Sequence, residues 1–428
     1  MSVYLKYYNF AMGISTSKTS KPKKVKSQLS LTFQGNRLPN LPEYVCEYSD
    51  LKELNLVFNH FTRLPESFGN LRNLERLYLK SNKLEFLPES FGNLKKLENL
   101  YLDSNILTHL PISIGNLINL TQLFLDGNIL TFIPESIGNC VKLMHLDLDH
   151  NKLSSLPTSI GKLKSLRQLY LSGNNLTTIP DSFGNLKNLT HLFLCRNKLS
   201  VIPDFIGKLT NLTELSLESN LITELPDLIG NLKNLKFLSL GNNQLNNLPQ
   251  SISKLENLYY LNVAHNQLTT LPESIGKLKN LAYLDLCFNE LTSLPVSIGD
   301  LKQIKNIDLQ YNLLTSLPES IIQIKNFILI YSSSYQLNKW DINCKFLIFK
   351  NIHEPTPYSG DKYQSPTNNF PYHINKIYLC GSEEIEDIHQ VKLPFGCEVE
   401  YYSSRASFKH RFCKFDPNET WEPNTGYL

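Results

Sequence analysis

Aromatic and acidic residues recur at fixed intervals along this chain, and their spacing is its clearest chemical signal. Tyr78, Tyr101, Phe124, Asp147, Tyr170 and Phe193 follow one another 23 residues apart, and Asp103, Asp126 and Asp149 keep the same interval two positions further on. Residues two apart on an extended strand share a face, so Tyr101 and Phe124 each stand beside a carboxylate if these segments are strands. Aromatics dominate binding hot spots, and grouped carboxylates steer a basic partner. The chemistry this arrangement suits is recognition of another protein, not bond making. Phe237, Tyr259, Tyr260, Tyr283 and Phe288 form a second aromatic cluster nearer the C-terminus, either a separate contact site or part of one long footprint. Aromatics also simply suit strands; a contiguous exposed patch of them is what favours the interface.

Groups that could carry other chemistry do not assemble as well. His145, Asp147, Asp149 and His150 offer metal-ligand types, but side chains alternating along one strand lie too far apart for compact coordination. The eight cysteines are scattered, with no C-x-x-C pair, and Cys380, Cys397 and Cys413 with His389 and His410 lack the paired spacing of structural zinc sites. Cys195 and Cys287 stand four repeats apart, beyond disulfide reach. Neither a Ser/His/Asp arrangement nor a phosphate loop stands out, so no catalytic residue, metal or cofactor is expected.

The elements that must position these residues follow from the period itself. Asn recurs at 36, 59, 82 and onward to 312 in 23-residue steps, and proline follows each Asn by six residues, from Pro42 to Pro318, giving thirteen units without insertion or deletion. Each unit reads like Leu166-x-x-Leu169-x-Leu171-x-x-Asn174-x-Leu176-x-x-Ile179-Pro180-x-Ser182-Phe183-Gly184-x-Leu186. Leu169 and Leu171 have the period of a short strand, its leucines inward and Gln168, Tyr170 and Ser172 outward. The Asn amide is placed to satisfy backbone groups where the chain turns. Pro180 is expected to open a helical turn and Gly184 to close it.

This pattern resembles the leucine-rich repeat family, in particular its 23-residue intracellular type, typified by Ras-binding scaffolds and their plant relatives. The resemblance covers about residues 28–330. It implies an α/β repeat solenoid, a curved horseshoe with a parallel β-sheet on its concave side and short helical turns on its convex side. It implies a non-enzymatic scaffold or adaptor that binds protein through the concave face, with signalling and a small GTPase as the first guess for pathway and partner. Thirteen strands about 4.8 Å apart would offer a ladder on the order of 60 Å long. Gln28, Cys46 and Tyr48 depart from the pattern in the first unit, and Tyr335 and Asp341 depart from it after the last; both ends read as caps. The contrasting reading is a substrate-recognition adaptor whose activity is supplied or recruited by residues 331–428.

The flanks differ from the array. Residues 1–30 carry six lysines and no acid, which leaves the rest of the chain three negative from an overall +3. That local balance argues against a nucleic-acid groove. Residues 1–27 read as a disordered basic tail, and Met12-Gly13-Ile14-Ser15-Thr16-Ser17 fits the myristoylation pattern, usable at Gly13 if translation starts at Met12. Lipid plus lysines would give peripheral membrane contact. Residues 331–428 read as degenerate repeat, cap and a small appended region, with strand-like pieces near 345–349, 377–380 and 397–402. A 19% charged, 41% hydrophobic chain of 428 residues is neither a disordered tail nor a membrane bundle, and no apolar run approaches the ~20 residues of a spanning helix. Scattered cysteines and the lack of a signal sequence point to a reducing, cytoplasmic setting.

Overall fold

The Leu-x-Leu pairs form three-residue strands, and the Pro-led segments form five-residue 3₁₀ helices. In the computed structural model these alternate from the strand Ser30–Thr32 to the helix Glu319–Gln323. The structure describes residues 29–314, 317–324, 328–331, 346–350, 376–381 and 398–403. The chain divides into two compact units, Met1–Leu169 and Tyr170–Leu428, each built as a repeat solenoid.

Within the first unit, strands at Ser30–Thr32, Glu53–Asn55, Arg76–Tyr78, Asn99–Tyr101, Gln122–Phe124 and His145–Asp147 pair in parallel, each with the next. The register is one full repeat, so Leu54 faces Leu77, Leu77 faces Leu100, and Tyr78 faces Tyr101. Within the second unit the same parallel order runs from His191–Phe193 through Asn306–Asp308. It continues into Ile328–Tyr331, Phe346–Lys350, Lys376–Gly381 and Glu398–Ser403. The three strand-like pieces read in the C-terminal sequence are therefore strands, and they extend the same ladder without the 23-residue spacing. Among the described residues no helix is long and apolar enough to cross a membrane.

The core is a column of leucines repeated down each unit. Leu77, Leu79, Leu84, Leu94 and Leu97 in one repeat, like Leu238, Leu240, Leu245, Leu255 and Leu258 in another, are wholly buried. Each such side chain contributes about 1.5–3 kcal/mol of burial. Phe68 and Phe91, in the helices Glu66–Asn70 and Glu89–Asn93, are fully buried, their rings parallel and 5.9 Å apart.

The consensus Asn acts as the sequence suggested. The Asn128 amide donates to the Leu102 carbonyl of the preceding repeat at 3.0 Å and to Leu125 at 2.9 Å, while its oxygen accepts from Leu107 N–H at 3.0 Å. One buried side chain thus satisfies three backbone groups that the turn would leave unpaired. Asn59, Asn105, Asn220, Asn243, Asn266 and Asn289 make the same set of bonds.

Glycine does something other than close the helical turn. Pro180 precedes the helix Asp181–Asn185 as its cap, but Gly184 lies inside that helix and Leu186 caps its end. The glycine is needed because successive helices pack so closely. A Cβ on Gly138 would lie 2.6 Å from Ser159 Cβ and 2.7 Å from its carbonyl oxygen, and one on Gly69 would lie 2.5 Å from the Ser90 carbonyl. At the first unit's cap Cys46 replaces this glycine and is itself buried. On the same side Glu135 accepts from the N–H groups of Thr158 and Ser159 at 3.0 and 2.9 Å, which joins one helix to the start of the next. Hydrogen bonds from Ser159, then Thr158, hold its carboxyl below the ordinary value.

Candidate protein-binding surface

The residue between the two strand leucines, its neighbours two positions to either side, and the residue just before each ladder Asn form four columns across the strands. In the N-terminal unit the structure brings Tyr78, Tyr101 and Phe124 into one stack. Ring centroids are 4.8 and 4.7 Å apart, with planes 11° and 6° from parallel. His145 extends the run, its ring 4.4 Å from Phe124 and tilted by 37°. Sequence reasoning had considered His145 only as a metal ligand. It opens the next strand opposite Gln122, and its ring reaches Phe124 diagonally across the pair.

Asp147 interrupts the aromatic row for a structural reason. It is buried, and its Oδ1 accepts from the Asp149 N–H at 3.1 Å. Asn55, Asn262, Asp285 and Asp308 occupy the same column and accept from the N–H two residues ahead at 2.9–3.1 Å, the local turn that short Asx side chains favour. Asp103 is buried too, with Lys80 Nζ 2.6 Å away. That pairing holds the Lys80 ammonium above its ordinary range. The expectation of a freely presented row of carboxylates is corrected accordingly: Asp103, Asp147 and Asp149 are 4–7% exposed, and Asp126 is the half-buried member.

In the C-terminal unit Tyr170 and Phe193 stack at 5.1 Å, Tyr170 half-buried and Phe193 buried. The second aromatic cluster separates into two. Phe237 and Tyr260 stack at 4.4 Å, and Tyr283 meets Tyr260 at 6.5 Å and the edge of Tyr259 at 5.4 Å. Phe288 stands apart from them, sandwiched between His265 and Tyr311 at 4.1 and 4.0 Å. Those three residues lie where every unit from Gly35 to Tyr311 takes a positive φ, and only Gly35, Gly127 and Gly173 fill that position with glycine. No sequence pattern marked this column, because residue types there range from serine to phenylalanine.

The metal candidates change as well. His145 Nδ1 bonds Gln168 Oε1 at 2.8 Å, and among the described residues the potential ligand atoms that lie together are instead those of Asp285, Cys287 and Asp308, within 4.8 Å of one another. Cys46, Cys140, Cys195 and Cys287 are buried, and burial pushes the Cys140 thiol up to about 12. Gly13, Gln28, Tyr335, Asp341, Cys397, Cys413, His389 and His410 lie outside the described residues.

A family model described as a leucine-rich repeat region matches residues 31–128, 131–220 and 215–287, and a second, leucine-rich repeat, matches 119–140. The chain belongs to the leucine-rich repeat family. Among solved structures, a leucine-rich repeat protein of Leptospira interrogans is 40% identical, with a TM-score of 0.65 over 69% of this chain and 76% of its own. The PEPR1–AtPEP1 structure is 27% identical, with a TM-score of 0.60 over 87% of this chain and 59% of that one. An internalin of Listeria monocytogenes, 24% identical with a TM-score of 0.61 over 73% of this chain and 90% of its own, shares the fold. No curated protein sequence matches. Leucine-rich repeat folds serve generally as protein-interaction scaffolds.

Proposed function

We propose that this chain binds another protein through the outward face of its strand ladder and performs no catalysis itself. The observation that carries the reading is the stack Tyr78, Tyr101, Phe124 and His145. Its rings are half-buried, Tyr78, Tyr101 and Phe124 stand in register and His145 joins them from the neighbouring column, with half-buried Asp126 two residues beyond Phe124. Pre-stacked aromatics lose little side-chain freedom on binding, which is where association free energy is usually spent. Half-buried Asp126 favours a partner with a basic surface.

The setting proposed is cytoplasmic signalling. The 23-residue repeat type resembles Ras-binding scaffolds, which makes a small GTPase the first partner to try. Peripheral membrane contact would come from the lysines of residues 1–27, with Gly13 as the lipidation site. The test is affinity capture by the full chain beside a Tyr101→Ala, Asp126→Ala variant of unchanged melting temperature. A partner held by the wild type and lost by the variant supports the reading; equal retention by both removes the interface from this stack.

A further inference from the structure

The strand face of the C-terminal unit is built differently, and its chemistry is more specific. Phe237, Tyr260 and Tyr283, the first residues of three neighbouring strands, form one aromatic margin. His265, Phe288 and Tyr311 form the other as a continuous stack with planes 11° and 16° from parallel. Phe288 and Tyr311 are 41% and 40% exposed. From Tyr283 to Phe288 is five residues, at most about 16 Å along the strand. Between the margins the outward positions hold small side chains, Ser239, Gly241, Asn262, Ala264 and Cys287, and then Asp285 and Asp308.

The charge on this floor is one-sided. None of the outward positions of the strands from Glu214–Ser216 to Asn306–Asp308 is lysine or arginine, whereas Glu214, Glu218, Asp285 and Asp308 are acidic. Oxygens of Asp285 and Asp308 lie within 4.8 Å of each other, so two carboxylates face one point on the floor. Cys287 N–H donates to Asp285 at 3.1 Å, and the Gln310 amide donates to Asp308 at 2.9 and 3.0 Å. Burial, then the negative charge of Asp285 and Glu218, raises the Tyr260 hydroxyl's pKa well above its ordinary value. The rim already shows the contact such a surface favours, with Lys305 Nζ 5.9 Å from the centre of the Tyr259 ring.

We propose that this face binds an extended, arginine- or lysine-bearing segment of a partner protein, its cations set over Asp285 and Asp308 and its side-chain stems against the two aromatic margins. The proposal rests on the reading that the strand face binds protein, and it adds a second site and a partner chemistry. Guanidinium groups suit both features, because they stack on aromatic faces and pair with carboxylates through several donors.

The test uses the full chain and a fluorescein-labelled peptide of alternating arginine and glycine, with a glutamate–glycine peptide as control, read by anisotropy at low salt. Asp285→Asn with Asp308→Asn removes charge and keeps the fold, since Asn262 in the same column already accepts the equivalent N–H at 2.9 Å. Phe288→Ser is similarly conservative, since Ser81, Ser104 and Ser219 take the same positive-φ position. The expected result is at least tenfold weaker arginine-peptide binding for the double asparagine variant, several-fold weaker binding for Phe288→Ser, and less than twofold change for Glu256→Gln, an exposed acid paired with Lys233 away from this floor. The proposal is overturned if the arginine peptide does not bind, if the glutamate peptide binds equally, or if the double variant binds like the wild type. A Glu256→Gln loss as large as the double variant's overturns it too. Zn²⁺ binding lost in the double variant, with peptide binding intact, would assign the carboxylates to a metal instead. Each of these failures is separate from the capture experiment on Tyr101 and Asp126, which decides the broader protein-binding reading on its own.

Discussion

Single side chains in this protein are asked to do more than one job, and the ladder Asn shows how much rests on each. Asn128 is 5% exposed and bonded to the backbone of two repeats. In an Asn128→Ala variant Leu107 N–H and the carbonyls of Leu102 and Leu125 lose this partner inside the core. Unsatisfied buried backbone groups cost about 1–3 kcal/mol each, so the expected loss is about 3 kcal/mol or more, measured by urea unfolding. A loss below 1 kcal/mol would show that water reaches the turn and replaces the amide. The Asn period was plain in the sequence, and so was its purpose. The role of Asp147 was not, because an Asx side chain that accepts from its own strand end looks in sequence like one offered to a partner. Only the bond to Asp149 N–H and the burial of both residues separate the two.

At the scale of the element, the helices are short because each need only return the chain to the next strand, and glycine lets them lie against one another. Gly138 and Gly184 occupy the same place in their repeats but meet different neighbours. A Cβ on Gly138 would collide with Ser159 at 2.6 Å, whereas one on Gly184 would meet Phe205 Cβ at 3.2 Å and the flexible Lys208 Cδ at 3.3 Å. Overpacking of this kind typically costs about 1–3 kcal/mol. Gly138→Ala is expected at the upper end of that range and Gly184→Ala well below it, with both read from denaturant midpoints. Equal losses would mean that backbone conformation, not contact with the next helix, selects glycine here. The sequence marked the position correctly and suggested the wrong reason: a glycine after a helical turn ordinarily signals a C-cap, and the spacing between helices is absent from a one-dimensional pattern.

Across the whole molecule, charge is distributed by segment. Residues 1–28 hold six lysines and no acid, so removing them changes the net charge from +3 to −3. At pH 7 the truncated chain is expected to reverse its electrophoretic mobility and to lose binding to phosphatidylserine vesicles, to which each lysine contributes roughly 1 kcal/mol near the surface. Vesicle binding that survives truncation would place the membrane contact on the repeats. The array itself needed nothing beyond the sequence, because a 23-residue period without insertion dictates that each strand, turn and helix repeats and that each unit bonds only to its neighbours. The period likewise fixed which residues share a column. What the tertiary structure alone decided is which members of a column remain accessible and what they touch. Asp103, Asp147 and Asp149 are covered, Tyr78, Tyr101 and Phe124 stack, and Phe288 joins His265 and Tyr311 instead of the tyrosines. The physical reason is that periodicity sets direction and register, while burial and stacking depend on side chains from adjacent repeats whose separation exists only after folding.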